Sequence, residues 1–287
     1  MPAGPRPIQR MGLFRRKYFP MEAPPDEKIA WLKREKPDAL FAWASVLDEI
    51  SRRLEDQGER LNVPLIFSTS TSLFPPVRER VGARMGGRVF DVYGAVESGP
   101  IAWECPEGGY HVRHDSVVLE IVDEDGRAAR SGRVVCTPLW RYTMPLLRLE
   151  LGDGAEWRDA PCRCGVPGRG LTALYGRTMD LLQLEGTDEW IAPFRLMRPM
   201  YELPGIRQFL CIQEAPDRFA FHVVPGPEFT ADSERRIEAH FAREFGGRIR
   251  SRMVLTPSIP ATKSGKPLML MTLARLKAQP TRKETPE

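Results

Sequence analysis

Residues 63–93 contain an apolar strand, a helix and a second strand in succession, and this pattern limits the fold more than any other feature of the chain. The run Val63–Phe67 is typical of a short buried strand, proline opens a predicted helix at Pro75–Met85, and Arg88–Tyr93 predicts the next strand. Two strands joined through a helix favour parallel pairing, because the crossover returns the chain to the same end of the sheet. The sequence therefore predicts an α/β protein.

An amphipathic helix precedes this unit and a hairpin follows it. The helix is predicted from Asp38, which can cap it, to Gly58, which can stop it. Apolar residues recur there at intervals of three and four, namely Leu40, Trp43, Leu47, Ile50 and Leu54. Beyond the unit, Ser116–Val122 and Gly132–Pro138 are strand-like runs on either side of Asp125-Gly126, a pair suited to a tight turn.

The chain changes character near Gly176, and we expect a domain boundary there. A strand pattern at Phe219–Val224, a helix at Ser233–Phe245 and a strand at Met253–Leu255 follow. About 110 residues are enough for a separate small domain, so these elements predict an α+β unit at the C-terminal end.

Charge and composition argue against several classes of protein. Lysine and arginine total 42 against 38 for aspartate and glutamate, and the basic residues are too scattered to form the face that a nucleic acid needs. No apolar run is long enough to cross a membrane, and the first residues lack the apolar core of a signal peptide. We therefore expect a cytoplasmic protein without a nucleic-acid or membrane partner, with an irregular lead-in at residues 1–25 and a disordered tail at 278–287.

Two strands carry side chains suited to binding a nucleotide. At the first, Tyr93 and Gly94 begin a turn in which the tyrosine can stack on a base, and Glu97 can hold Mg²⁺ through a carboxylate oxygen. At the second, alternating apolar residues in Met144–Asp153 predict a strand that ends at Gly152-Asp153, where a carboxylate can accept hydrogen bonds from a ribose diol. Each stretch taken singly also fits an ordinary turn.

Two further stretches carry basic side chains. Arg177 lies in Tyr175–Asp180, at the change in composition, where it can form an interdomain ion pair or bind a sugar hydroxyl or phosphate. Lys266 lies in the loop Pro260–Lys266, where two lysines around Ser-Gly form a cationic tip suited to a phosphate or carboxylate in a transition state. Solvated surface lysines are the alternative interpretation of this loop.

The order of these four stretches resembles that of a known family. The sequences YGAVESG, MPLLRLELGD, YGRTMD and TKSGKP look like motifs of the adenylate-forming (acyl/aryl-CoA ligase) superfamily, in its phenylacetate-CoA ligase and CapK-like branch. The likeness extends over roughly residues 26 to 275. It implies an α/β fold in which residues 26–176 form the C-terminal part of the large AMP-binding domain. Residues 177–277 would form a small α+β C-terminal domain that moves on a hinge.

The resemblance also implies an activity. Such enzymes join a carboxylate to ATP, which gives an acyl-adenylate and pyrophosphate, and usually pass the acyl group to coenzyme A. The expected partners are thus a small-molecule carboxylate and a nucleotide. By similarity, the roles are adenine binding for Tyr93 and Gly94, ribose binding for Asp153, Mg²⁺ binding for Glu97, ribose and phosphate binding for Arg177, and transition-state charge stabilisation for Lys266.

One part of the family's pattern has no counterpart in this sequence. Family members carry a Gly-rich Ser/Thr phosphate loop well before the Tyr-Gly turn, whereas Ser68–Ser72 contains no glycine and matches a nucleotide-side loop. Two expectations follow. The chain activates an acid with a phosphate loop supplied upstream or by a partner chain, or it is a non-catalytic nucleotide-binding or interaction protein. The sequence leaves a homo-oligomer open as well.

Four side chains of the kind that zinc prefers lie in two short clusters. Cys105 and His111 form the first, with His114 as a rival histidine, and Cys162 and Cys164 form the second. The second cluster lies in a polar loop, where core packing does not explain a pair of thiols. A structural Zn²⁺ site is one interpretation, and buried or redox-silent thiols are the other.

Overall fold

The computed structural model describes residues 15–177, 182–183, 190–191, 193–259 and 269–273. The helices are α1 (Pro25–Glu35), α2 (Ala44–Asp56), α3 (Pro75–Met85), α4 (Pro193–Glu202) and α5 (Ala231–Phe245). The strands are β1 (Ala39–Trp43), β2 (Leu65–Thr69), β3 (Arg88–Ala95), β4 (Gly99–Glu104), β5 (Tyr110–Val112), β6 (Val117–Val122), β7 (Ser131–Pro138), β8 (Leu149–Trp157), β9 (Gly170–Arg177), β10 (Leu182–Gln183), β11 (Trp190–Ile191), β12 (Ile206–Ala215), β13 (Arg218–Pro225), β14 (Arg250–Leu255) and β15 (Leu270–Met271). In the described part of the chain, no helix is long and apolar enough to span a membrane. The predicted tail at 278–287 and residues 1–14 of the predicted lead-in lie outside these ranges.

The first three strands form the parallel part of the molecule. Strands β2 and β3 pair in parallel on either side of α3, which confirms the predicted strand-helix-strand unit. The prediction of a helix from Asp38 was wrong for residues 39–43, which form β1 and pair in parallel with β2. The helical spacing of Leu40 and Trp43 is overridden there because the residues gain a strand partner, and the helix begins at Ala44.

The parallel strands are buried by helices on one face and carry an apolar row on the other. Ile66 of β2 is fully buried in the same core as α2 and α3. On the opposite face, Phe41, Phe67 and Phe90 are paired across β1, β2 and β3, and Phe41 is 59% exposed. Parallel strands are normally covered on both faces. Phe67 and Phe90 are half-buried, and the Arg88 guanidinium lies 5.1 Å from the centroid of the Phe90 ring. We call this row the phenylalanine face.

The parallel strands continue into a larger antiparallel sheet with its own core. The strand order is β1-β2-β3-β4-β5-β9-β8-β7-β6. Strands β6 and β7 pair from Val117↔Pro138 to Val122↔Arg133, which confirms the hairpin predicted around Asp125-Gly126. Apolar side chains of β4 to β9 form a second core cluster, against which the Tyr93 side chain packs.

The C-terminal elements form a separate four-stranded sheet. Its strand order is β14-β13-β12-β15, and α5 covers it with Ile237, Phe241 and Phe245, all buried. The strand predicted at Phe219–Val224 and the helix predicted at Ser233–Phe245 are confirmed, as β13 and α5. Thr230 and Ser233 start the helix with reciprocal capping hydrogen bonds, a signal that is local in sequence.

A polar contact joins the C-terminal elements to the helices of the parallel sheet. Asp48 of α2 forms ion pairs with Arg52, at 2.9 Å, and with Arg80 of α3. The same two guanidinium groups donate hydrogen bonds to backbone carbonyls on the other side, at Ile206 (3.0 Å) and Tyr201 (3.2 Å). Asp48 therefore binds two arginine side chains that link the helices of the parallel sheet to the C-terminal elements. The two groups of elements also share one apolar core.

Candidate functional site

The side chains of Tyr93 and Asp153 are in direct contact. The Tyr93 hydroxyl donates a hydrogen bond of 2.8 Å to Oδ2 of Asp153. Tyr93 lies near the end of β3, but Asp153 lies in the middle of β8. That strand runs from Leu149 to Trp157, and it pairs with β7 and, from Asp153 onward, with β9. The prediction that a strand ends at Asp153 was therefore wrong. The site nevertheless contains an aromatic ring and a carboxylate side by side.

Gly94 permits a close approach of β3 and β4 next to Tyr93. The register of the two strands shifts between Tyr93 and Gly94. A Cβ atom on Gly94 would lie 2.6 Å from the carbonyl oxygen of Gly99 and 3.0 Å from Cα of Pro100. Since both neighbours are backbone atoms, no side-chain movement can relieve the contact. Such irregularities redirect a neighbouring side chain, and here that side chain is the Tyr93 ring.

Glu97 is exposed in the turn that joins β3 to β4. The first strand continues to Ala95, past the end predicted at Tyr93, and the turn begins at Val96. The guanidinium of Arg141 donates a hydrogen bond of 2.7 Å to the Val96 carbonyl and so ties the turn to the loop before β8. This arrangement presents the Glu97 carboxylate to solvent beside the Tyr93 strand, in a place where a cation can reach it.

The Ser/Thr loop after β2 also reaches this region. The Thr69 hydroxyl donates to the Val92 carbonyl at 2.9 Å, next to Tyr93 in β3. The Thr71 N–H donates to the Thr69 carbonyl at 2.8 Å across Ser70, whose φ of 67° is the left-handed region that favours glycine. Strained residues of this kind concentrate at binding sites. A Cβ atom on Gly176 would lie 3.7 Å from Oγ of Ser72, so the loop also approaches the end of β9.

The structure describes only part of the region around the predicted basic residues Arg177 and Lys266. Arg177 ends β9, where its backbone is the partner of Asp153 in β8. Its side chain, residues 178–180 and Lys266 lie outside the described residues. The structure therefore brings together Tyr93, Gly94, Asp153 and the backbone of Arg177, with Glu97 in the adjacent turn.

The four candidate zinc ligands form a single cluster. One ligand atom from each of Cys105, His111, Cys162 and Cys164 lies within 4.8 Å of the other three. The Sγ atoms of Cys105 and Cys162 are 3.6 Å apart, and Nε2 of His111 is 3.1 Å from Sγ of Cys164. The rival His114 faces elsewhere, because its Nε2 contacts the Arg169 carbonyl at 2.9 Å.

The protonation of the cluster is shifted by its surroundings. The backbone N–H of Cys164 and further hydrogen bonds lower the pKa of Cys162 to about 7, whereas burial raises the pKa of Cys105 to about 11. Burial, with a contribution from the Arg158 cation, lowers the pKa of His111 and so favours the neutral imidazole. A neutral imidazole is the form that binds a metal.

Known proteins share part of the sequence and the fold of this chain. No family model matches the chain. It is 27% identical over 192 residues to the phenylacetate-coenzyme A ligase of Thermus thermophilus, and the match covers 63% of this chain and 43% of that protein. The structure of 2-hydroxyisobutyryl-CoA ligase in the postadenylation state with R3-HIB-AMP matches with a TM-score of 0.73, at 21% identity, over 92% of this chain and 61% of that one.

A second ligase structure matches as well. The anthranilate CoA ligase AuaEII in complex with anthranoyl-AMP aligns with a TM-score of 0.66 at 16% identity, over 88% of this chain and 50% of that chain. The chain is similar in sequence and in fold to adenylate-forming CoA ligases. It has the α/β fold of these CoA ligases but spans less than half the length of the curated relative that it matches.

A polar cluster beside Tyr93 was not predicted from the sequence. The Tyr110 hydroxyl donates to Oδ2 of Asp91 at 2.9 Å, and Glu104 accepts from the Asp91 N–H at 2.8 Å and from Arg78 at 2.9 Å. Burial raises the pKa of Asp91 to about 6. An aspartate in the middle of the apolar strand Val89–Tyr93 was the available signal, because a carboxylate that is partly removed from water needs partners.

Proposed function

We propose that this chain is the nucleotide-facing part of a ligase that activates a carboxylic acid with ATP. In the first step, a carboxylate oxygen of the acid attacks the α-phosphorus of ATP, the bond from that phosphorus to the β-phosphate oxygen breaks, and pyrophosphate leaves. In the second, the sulfur of coenzyme A attacks the acyl carbon and AMP leaves. The contact between Tyr93 and Asp153 supports the proposal, because a ring that can stack on adenine lies beside a carboxylate that can accept hydrogen bonds from a ribose diol.

The other residues take roles around this pair. The exposed Glu97 offers the oxygen ligand that Mg²⁺ prefers, and the bound ion would balance phosphate charge. Arg177, next to Asp153 in the β8–β9 ladder, would bind the ribose and phosphate. Lys266 would stabilise the charge that develops on adenylation. The last two roles rest on the family resemblance.

We further propose that the phenylalanine face receives the remaining part of the large ligase domain, which carries the phosphate loop. The relatives are longer than this chain, and their remaining residues are enough to cover a sheet. A row of three aromatic rings on parallel strands, in which Phe41 is exposed and the other two rings are half-buried, is a surface that such a packing would bury.

The free thiols favour a reducing compartment. All five cysteines are unpaired, and the thiols of the Cys105 cluster are close enough to oxidise in an oxidising environment. On this basis we place the proposed activity in the cytoplasm.

The first experiment measures nucleotide binding by titration calorimetry of the chain with AMP. Asp153→Asn is expected to weaken binding about tenfold, because the amide loses the charge that strengthens hydrogen bonds to the ribose hydroxyls. Asp125→Asn in the exposed hairpin turn is the matched control and should bind AMP like the parent chain. Failure of the parent chain to bind AMP would overturn the proposed site.

The second experiment measures ATP-pyrophosphate exchange with Mg²⁺ and a panel of aryl and fatty acids, using the native protein purified from its source cells. Exchange that depends on one acid and is lost in Lys266→Ala supports an adenylating enzyme. Phe41→Asp should abolish exchange if the phenylalanine face receives the rest of the domain, whereas Leu255→Asp, at a similarly exposed position on β14, should not. AMP binding without exchange for any acid would instead indicate a non-catalytic nucleotide-binding protein.

A further inference from the structure

The nine-stranded sheet has a weak junction between β5 and β9. Strand β5 contains three residues, and two residue pairs, Tyr110↔Leu171 and His111↔Gly170, join it to β9. This is the shortest ladder in the sheet. It separates the part that carries Tyr93, on β3, from the part that carries Asp153, on β8. Few backbone hydrogen bonds therefore hold the two halves of the candidate nucleotide site in register.

The Cys/His cluster lies across this junction. Cys105 follows β4 and His111 belongs to β5, so both are on the Tyr93 side. Cys162 and Cys164 lie in the loop between β8 and β9, on the Asp153 side. A bond from one centre to all four residues would crosslink the two halves where their pairing is shortest.

The geometry suits a tetrahedral zinc ion. With zinc-sulfur bonds of about 2.3 Å and zinc-nitrogen bonds of about 2.0 Å, ligand atoms lie roughly 3.5 to 3.8 Å apart. The separations of 3.6 Å between Cys105 and Cys162, and of 3.1 Å between His111 and Cys164, lie close to these values. Slight adjustment of side chains would bring all four atoms, already within 4.8 Å of one another, to one ion.

The backbone around the thiols has the form expected of metal-binding turns. The N–H of Glu107 points at Sγ of Cys105 at 3.4 Å, and the N–H of Val166 points at Sγ of Cys164 at 3.5 Å. Such donors stabilise thiolates and fix their orientation. Three thiolates and a neutral imidazole around Zn²⁺ carry a net charge of minus one. The Arg158 guanidinium, which donates a hydrogen bond to the carbonyl of Gly108 between Cys105 and His111, offers a nearby positive charge to balance it.

We propose that Cys105, His111, Cys162 and Cys164 bind one structural Zn²⁺ ion that crosslinks β5 to the β8–β9 loop. Four protein ligands leave no open position for water or substrate, so the ion stabilises the fold and takes no part in chemistry. The position of the ion, far from the candidate nucleotide site, agrees with a structural role. The loop enters β9 at Gly170, whereas Arg177 is at the other end of the strand, roughly 20 Å away at the usual rise per residue. The proposal stands independently of the nucleotide site.

The metal content of the parent chain is the first test. Chain purified without chelator and analysed by plasma mass spectrometry should contain one zinc per chain. After exchange into Co²⁺, it should give the thiolate charge-transfer and visible bands of a tetrahedral cobalt site. A chain that is folded by circular dichroism but holds no zinc or cobalt, whether its thiols are free or joined as a Cys105–Cys162 disulfide, would overturn the proposal.

Variants then identify the ligands. Cys162→Ser and His111→Gln should each lower the zinc content to well under half of the parent value and lower the melting temperature. His114→Gln, which changes a neighbouring histidine that points away, and Cys211→Ala, which changes a thiol buried in the C-terminal sheet, should keep one zinc per chain. If a ligand variant does not fold, the parent chain is titrated with a chelator and its melting temperature is measured. Removal of the zinc should then lower the melting temperature of the parent chain. Equal zinc content in His111→Gln and His114→Gln would contradict the assignment.

Discussion

The hydroxyl of Tyr93 donates a 2.8 Å hydrogen bond to the carboxylate of Asp153 across a sheet in which three strands separate them. In a flat sheet, β3 and β8 would lie about 19 Å apart. The contact therefore requires β4, β5 and β9 to curl around the second apolar core, so that the first and last strands of this series meet. The nucleotide site that we propose is a consequence of that curvature.

The Tyr93 ring and its hydroxyl should contribute separately to nucleotide binding. Tyr93→Phe keeps the ring but removes the hydrogen bond to Asp153, and we expect AMP affinity to fall about threefold to tenfold. Tyr93→Ala also removes the stacking surface and should weaken binding at least tenfold further. Calorimetric titration measures both variants. Tyr18→Ala, an exposed tyrosine in the lead-in, is the control, and equal affinities for Tyr93→Ala and Tyr18→Ala would contradict adenine stacking at Tyr93.

The raised pKa of Asp91 predicts a pH-dependent effect on stability. A carboxyl group with a folded-state pKa of about 6 favours the folded protein when protonated, and this contribution is lost as the pH rises from about 4 through 6. Asn cannot ionise, so Asp91→Asn should gain up to about 3 kcal/mol of unfolding free energy relative to the parent chain between pH 4 and pH 7. Urea denaturation across this range tests it, with Asp125→Asn in an exposed turn as a control whose difference from the parent stays flat.

Parallel stability curves for Asp91→Asn and the parent chain would show that the carboxyl group is not desolvated in the folded state. Tyr110→Phe provides a second measurement at the same position. It removes the 2.9 Å donor to Asp91, which favours the charged form, and should therefore raise the pKa of the carboxyl group further.

Asp48 should be important for stability because of the cations that it holds. Asp48→Ala leaves Arg52 and Arg80 without their shared counter-charge, and their side chains are 28% and 15% exposed. We expect a loss of roughly 2 kcal/mol or more in the free energy of unfolding, measured with urea. Asp159→Ala breaks an ion pair in which both side chains are mostly exposed, and its loss should stay within about 0.5 kcal/mol. Similar losses in the two variants would contradict a bridging role for Asp48.

Gly94 should not tolerate a side chain. Gly94→Ala places a methyl group against the backbone of Gly99 and Pro100, so β3 and β4 must separate, and we expect weaker AMP binding together with a lower melting temperature. The matched substitution Gly82→Ala lies in α3, where the new Cβ atom would be 3.6 Å from its nearest neighbour. It should stabilise the chain by about 0.5 to 1 kcal/mol through helix propensity. A Gly94→Ala variant with unchanged melting and AMP affinity would remove the packing argument.

Patterns that are local in sequence predicted the elements well. The proline at the start of α3, the Asp125-Gly126 turn and the apolar spacing of Ile237, Phe241 and Phe245 each act over a few residues, and each prediction is confirmed. The same kind of pattern gave a wrong prediction for residues 39–43. The spacing of their apolar side chains fits a helix. They form a strand because β2, more than twenty residues away in sequence, supplies hydrogen-bond partners for their backbone.

The sequence by itself determined the parallel unit, the hairpin, the C-terminal helix and the residue types of two sites, because turn chemistry and apolar periodicity depend on neighbours in the chain. Only the tertiary structure decided that Tyr93 meets Asp153, that Asp91 contacts Tyr110 and Glu104, and that His111 rather than His114 joins the cysteines. These are long-range relationships, and they depend on how the curled sheet brings together side chains that the chain itself keeps far apart.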